Sequence, residues 1–194
     1  MDSYRIALFL HVMTLVVAAS SGAVTKLAVG RRIRARTVAD ALEWHSVLVS
    51  ASRAFPLCLA SFVITGSYMV SRGGAQAWKS GFVISGLLGV AFLLGTGTYL
   101  GIKAKALKQV LENLAKQGAD RPMLKVVPPT LVRALPVANS GVALAVVFDM
   151  VTKPVSVPLA VGILLLGAMI SLGLSRRKAR VLDSALPPSV ASAV

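Results

Sequence analysis

The stretch FVISGLLGVAFLLGTGTYLGI, residues 82–102, contains no charged residue. A helix rises about 1.5 Å per residue, so these 21 residues reach about 31 Å. That matches a bilayer's hydrocarbon core of about 30 Å. A soluble domain of 194 residues could not hide the apolar surface that the whole chain carries, and a bilayer can. It is therefore expected to cross a membrane. The KAKALKQVLENLAKQ that follows, residues 103–117, continues the helix into water, with Leu107, Val110, Leu111 and Leu114 at i, i+3, i+4 and i+7. Gly118 to Pro122 is expected to end it.

Four more apolar runs flank this one. They cover about 6–29, 46–70, 130–151 and 155–174. The fourth span, 130–151, is the least apolar, since Arg133 and Pro136 lie near its start and only Val137 to Met150 is cleanly hydrophobic. The second contains Arg53 and Pro56, and a proline inside a helix removes a backbone hydrogen bond and kinks it. The approach to it, Thr37 to His45, is expected to be helical, with Trp44 at interface depth. The first run is not an ordinary signal peptide. It is long, begins after Arg5, and meets a block of arginines rather than a small-residue cleavage motif. The expected fold is an all-α integral membrane protein, a five-helix transmembrane bundle over residues 1–182. A disordered tail rich in Ala, Ser, Pro and Val is expected at 183–194.

Charge placement sets the expected direction. The loops after spans one and three and the segment after span five carry Lys26, Arg31, Arg32, Arg34, Arg36, Lys103, Lys105, Lys108, Lys116, Arg121, Lys125, Arg176, Arg177, Lys178 and Arg180. The opposite side carries Arg5, Arg72, Lys79 and Lys153. Cytoplasmic loops are the lysine- and arginine-rich ones, so the N-terminus is expected outside and the C-terminus in the cytoplasm.

Composition agrees. Hydrophobic residues are 56% and charged residues 14% of the 194, against about 25% charged in soluble domains. The net charge of +14 would suggest nucleic acid in a soluble protein. Here the basic residues sit between apolar runs, so the expected partners are the bilayer and its anionic headgroups, not nucleic acid. A lone Cys58 excludes an intrachain disulfide and a cysteine-rich metal site.

Membrane helices associate where small residues let backbones approach. Gly81, Ser85, Gly89, Gly97 and Gly101 form such a stripe on span three, broken by Leu93. It is expected to serve packing within the chain, with a homo-oligomer as the alternative. Span one has a second stripe at Ala7, His11, Thr14, Ala18, Ser21 or Gly22, and Thr25, which turns His11 inward.

Ionisable groups at membrane depth are expensive and need a partner, water or a purpose. The candidates are His11, His45, Arg53 and Asp149. His11 and Asp149 are both expected in the outer half, where imidazole and carboxylate could relay protons or orient a metal ligand; a purely structural hydrogen bond is the competing reading. Arg53, with Pro56 three residues on, is expected to snorkel inward, pair with Glu43 or bind an anionic headgroup. Met13, Met69 and Met150 lie at a depth similar to His11, and thioether with imidazole suits Cu(I). No clear ligand set supports copper. Nor does one support haem, because His45 is expected at the inner edge, far in depth from His11. There is no Walker loop, GxSxG, HExxH or dinucleotide fingerprint, so no catalytic residues are assigned and no enzyme is expected.

The opening Leu8-Phe-Leu-His11-Val, the segment Arg53-Ala-Phe-Pro56 leading to Ile64-Thr-Gly-Ser-Tyr-Met69, and the turn Met150-Val-Thr-Lys-Pro154 resemble a family of small bacterial integral membrane proteins of unknown function. That family is distantly similar to the membrane domains of copper-resistance D-type proteins. The resemblance covers spans one, two and four. It implies a bacterial inner-membrane location and an all-helical bundle, and it transfers no activity. The functional expectation is a non-enzymatic protein that binds or moves a small solute, a proton or a metal ion through an outer-half polar site. The alternatives are an accessory or scaffolding subunit of a larger membrane assembly, and a haem or copper redox protein.

Overall fold

The computed structural model describes residues 2–118 and 130–184, with side chains described except in 130–133 and 175–184. The described residues form helices joined by short turns, with no strand. In order they are α1 (Ser3–Ile33), α2 (Val38–Ser52), α3 (Ala54–Ser71), a short 3-10 turn (Ala75–Lys79), α4 (Gly81–Lys116), α5 (Thr130–Thr152) and α6 (Val157–Ser184). Five stretches are long and apolar enough to cross a membrane, with α2 and α3 together supplying one of them. The fourth, Ala134–Thr152, is 19 residues, so the doubtful span has the required length despite Pro136 inside the helix.

Local chemistry explains the boundaries. Asp2 starts α1, its side chain accepting from the Tyr4 amide at 3.3 Å. Thr37 caps α2 by accepting from the Asp40 amide at 3.1 Å. The break between α2 and α3 falls at Arg53, three residues before Pro56. Pro56 has no amide hydrogen for the Ser52 carbonyl four residues back, and the Arg53 amide donates to the Ser50 carbonyl, three residues back, at 3.3 Å. Gly118, at φ +68°, closes α4 where a residue with a Cβ would be strained.

Two features differ from the sequence expectation. The helix α6 continues ten residues beyond Leu174, through Arg176 to Ser184, because arginine, lysine, alanine and leucine favour helix even after apolarity ends. The expected tail lies outside the described residues beyond 184. On α4, Val110 is exposed, and the inward row is Leu107, Leu111 and Leu114.

The chain divides into two compact units, residues 1–78 with 94–127 and residues 79–93 with 128–194. In the first, α1 packs along both α2 and α3. Ala35, Ala41 and Leu111 form a small core there, with Leu42 and Leu107 against it. In the second, α5 and α6 pack together, and Val142, Ala145 and Leu164 form the core, with Leu93 and Val146 beside it. Gly141 and Gly167 face each other across this contact. A Cβ on Gly141 would strike the Gly167 carbonyl, and one on Gly167 would fall 2.7 Å from the Gly141 carbonyl. The turn between α5 and α6 also closes α4, since the amides of Gly81 and Phe82 donate to the carbonyls of Val155 and Pro154 at 3.0 and 3.1 Å.

The span-three stripe is used unevenly. Gly81, Ser85 and Gly89 are buried in the second unit, and a Cβ on Gly89 would strike Val146. Gly97 and Gly101 are exposed, with no described atom within 4 Å of a Cβ built there.

Candidate functional site

In the first unit, a ladder of polar contacts joins α1 to α3. Near the chain's start, the Tyr68 hydroxyl donates to Ser3 Oγ at 2.7 Å and Arg72 donates to both. Deeper, Nδ1 of His11 lies 2.8 Å from Thr65 Oγ1, and Thr14 Oγ1 lies 2.8 Å from Ser61 Oγ. His11 meets the edge of Phe62, with ring centroids 5.0 Å apart, and its Cε1 lies beside Gly66. The inward stripe of span one is thus the face that meets α3.

The hydrogens in this ladder can be assigned. Thr65 Oγ1 donates to the Ser61 carbonyl at 2.6 Å, which uses its only hydrogen. Thr65 can then only accept, so His11 carries its proton on Nδ1 and keeps a lone pair on Nε2. Thr14 likewise donates to the Leu10 carbonyl at 2.7 Å, so Ser61 donates to Thr14. These donations end on backbone carbonyls. The ladder holds two helices together and does not form a continuous path for a proton.

A second histidine is held at the other end of the same unit. His45 lies on the buried face of α2 with Val38, Ala41 and Leu48, and is 0% exposed. Arg32 Nη1 lies 3.0 Å from His45 Nδ1. A guanidinium can only donate, so Nδ1 holds the lone pair and Nε2 the hydrogen. The Ala104 backbone faces the ring, but Nε2 completes no hydrogen bond of full geometry among the described residues.

In the second unit stands Asp149. It too is 0% exposed, and neither carboxylate oxygen has a hydrogen-bond partner among the described residues. Asp149 extends the buried row of α5 formed by Ala138, Val142 and Ala145. Gly86 faces Met150 and Gly89 faces Val146, so the antiparallel register sets Asp149 level with Ser85 and Gly86 of α4. On α6 the matching level is Ala160, itself 0% exposed. Ser85 gives its hydrogen to the Phe82 carbonyl at 3.1 Å and keeps its oxygen lone pairs. Small residues thus stand at the level of the carboxyl.

The other expected residues are placed as follows. His11 belongs to the first unit and Asp149 to the second, and the polar partner of His11 within its own unit is Thr65. Arg53 is exposed at the α2–α3 break, and its side chain makes no hydrogen bond or ion pair with Glu43 or any other described residue. Met13 lies on the exposed side of α1, whereas Met69 is half-buried on α3. The Met150 methyl approaches Gly86 in the second unit. Among the described residues, no three His, Cys, Asp or Glu side chains gather where they could hold a metal. Sequence reasoning missed the Arg32–His45 pair. The signal was present, because His45 shares the i, i+3, i+7, i+10 row of Val38, Ala41 and Leu48.

Comparison with protein-family models, with curated proteins and with solved structures finds no match.

Proposed function

We propose that this chain is a non-enzymatic multi-pass protein of a bacterial cytoplasmic membrane that binds or moves a small solute, a proton or a metal ion, with its N-terminus outside. The observation that supports it is the buried Asp149 carboxyl, whose two oxygens have no hydrogen-bond partner among the described residues. Enclosing an ionised carboxylate without a partner costs several kcal/mol, and native structures rarely leave such a group unmet without a reason. A proton or cation arriving at Asp149 removes that cost, and its departure restores it.

The test is reconstitution into liposomes, with proton entry followed by an enclosed pH dye and metal content by elemental analysis. An optical spectrum of the same sample reports any haem. Flux or metal binding that disappears in Asp149→Asn supports the reading. Flux and binding equal in wild type and variant would sink it.

A second reading, a subunit of a larger membrane assembly, rests on a different observation. Gly97 and Gly101 form a GxxxG on α4 that nothing in the described chain covers within 4 Å. Such pairs let a second helix approach closely. Crosslinking from Thr98→Cys within native membranes tests it: a discrete crosslinked species supports assembly, and monomer alone removes this reading.

A further inference from the structure

We infer that the basic end of the first unit holds a binding site for the phosphate of an anionic phospholipid, with Arg32 as its principal donor and His45 as the residue that positions it.

The inference starts from an asymmetry in how Arg32 is held. A half-buried guanidinium is ordinarily matched by a carboxylate, which fixes its direction and cancels its charge. Here the fixed partner is His45 Nδ1 at 3.0 Å. Because that nitrogen accepts, the imidazole is the neutral form, so Arg32 is oriented without being neutralised. No carboxylate lies within ion-pair distance of Arg32 among the described residues, where the one ion pair is Lys108 with Glu112 at 3.4 Å. The remaining guanidinium N–H groups make no described hydrogen bond and are not enclosed. A fully buried side chain is thus committed to aiming a full positive charge that no carboxylate among the described residues matches.

The surroundings identify the anion. Lys108 and Glu112, paired with each other at 3.4 Å, both stand within electrostatic reach of His45, so that pair adds no net charge there and the cations that remain are arginines. Arg31 lies over the Trp44 ring, 5.8 Å from its centroid, placing a second guanidinium beside an aromatic ring suited to the headgroup level. Arg34 follows and is exposed. Arg32 lies in the last turn of α1, where an apolar span gives way to a basic segment. Oriented guanidinium at that depth, with further cations around it, suits a tetrahedral phosphate that carries two acyl chains into the bilayer. A free anion would use the same oxygens but gain nothing from the apolar run beside them.

The experiment is native mass spectrometry of the full chain in detergent. It is titrated with phosphatidylglycerol, with phosphatidylcholine, and with phosphatidylglycerol against inorganic phosphate. The wild type should retain phosphatidylglycerol over phosphatidylcholine, and inorganic phosphate at equal concentration should not displace it. Arg32→Gln should weaken retention by about tenfold or more, the scale of one lost charge-assisted hydrogen bond. His45→Glu should weaken it comparably, because the new carboxylate neutralises Arg32 within the chain. Arg32→Lys keeps the charge without the forked donors and serves if the other variants do not fold; it should weaken retention severalfold. Arg36→Gln removes one charge from the same end and should change little. Equal weakening by Arg32→Gln and Arg36→Gln would show diffuse attraction and overturn the site. Displacement by inorganic phosphate would overturn the lipid as its ligand.

Discussion

His11 and Thr65 are 54 residues apart in sequence, and their side chains meet at 2.8 Å across the α1–α3 contact. The hydroxyl of Thr65 is already committed to the Ser61 carbonyl, so the imidazole is the donor. This makes His11 first a fastener of two membrane helices, with Nε2 left as a free base. His45 carries the opposite tautomer, fixed by Arg32.

The His11 assignment predicts a coupled pair. Thr65→Val and His11→Ala should each lower stability by about 0.6–2 kcal/mol, the range for interhelical hydrogen bonds in membranes. The double variant should cost less than the two single changes added together, since one bond is lost only once. Thermal unfolding of the four proteins in detergent measures this. Nitrogen chemical shifts of His11 should show the proton on Nδ1, and a proton on Nε2 would refute the ladder as drawn.

At Asp149, stability and function should move in opposite directions. Replacing a buried carboxyl that no described residue partners by a neutral amide of the same shape exchanges the cost of an enclosed charge for the smaller cost of an enclosed amide. Asp149→Asn should therefore raise stability by about 1–3 kcal/mol while abolishing flux or ion binding. A melting curve beside the liposome assay reads both. A destabilised Asp149→Asn would mean that the carboxyl has a structural partner, and the functional reading would fall with it.

Two glycines on the helices should respond with opposite signs. Gly141→Ala drives a methyl into the Gly167 carbonyl, so the two helices must separate, at a cost of about 1–3 kcal/mol. Gly97→Ala meets no described atom and gains helix propensity, so it should stabilise the monomer by up to about 1 kcal/mol. Denaturant or thermal unfolding of the purified variants distinguishes them, and equal effects would contradict the packing described.

The proposed orientation predicts a labelling pattern. In a Cys58→Ser background, Ala75→Cys should react with an impermeant thiol reagent added to intact cells, and Arg34→Cys should react only after lysis. Both positions are exposed, so burial does not confound the comparison. The reverse pattern would invert the topology.

What the sequence determined by itself was the set of helices and the five candidate spans. Hydropathy over about 20 residues is a local property, and so are the break three residues before Pro56 and the stops at Lys153-Pro154 and Gly118. The inward face of α1 was also readable, because its small and polar residues recur at helical spacing from Ala7 to Thr25. Which groups would meet was decided only by the tertiary structure. Lipid tails are as apolar as leucine, so burying apolar surface does not choose partners among membrane helices. Close backbone approach and interhelical hydrogen bonds choose them, and both depend on crossing geometry and register. That is why Gly141 and Gly167 drew no notice in the sequence yet mark a close backbone contact between two helices, while the GxxxG at Gly97 meets no described atom. It is also why His45, placed at the edge of a span by its position in the chain, emerged as the fully buried partner of Arg32.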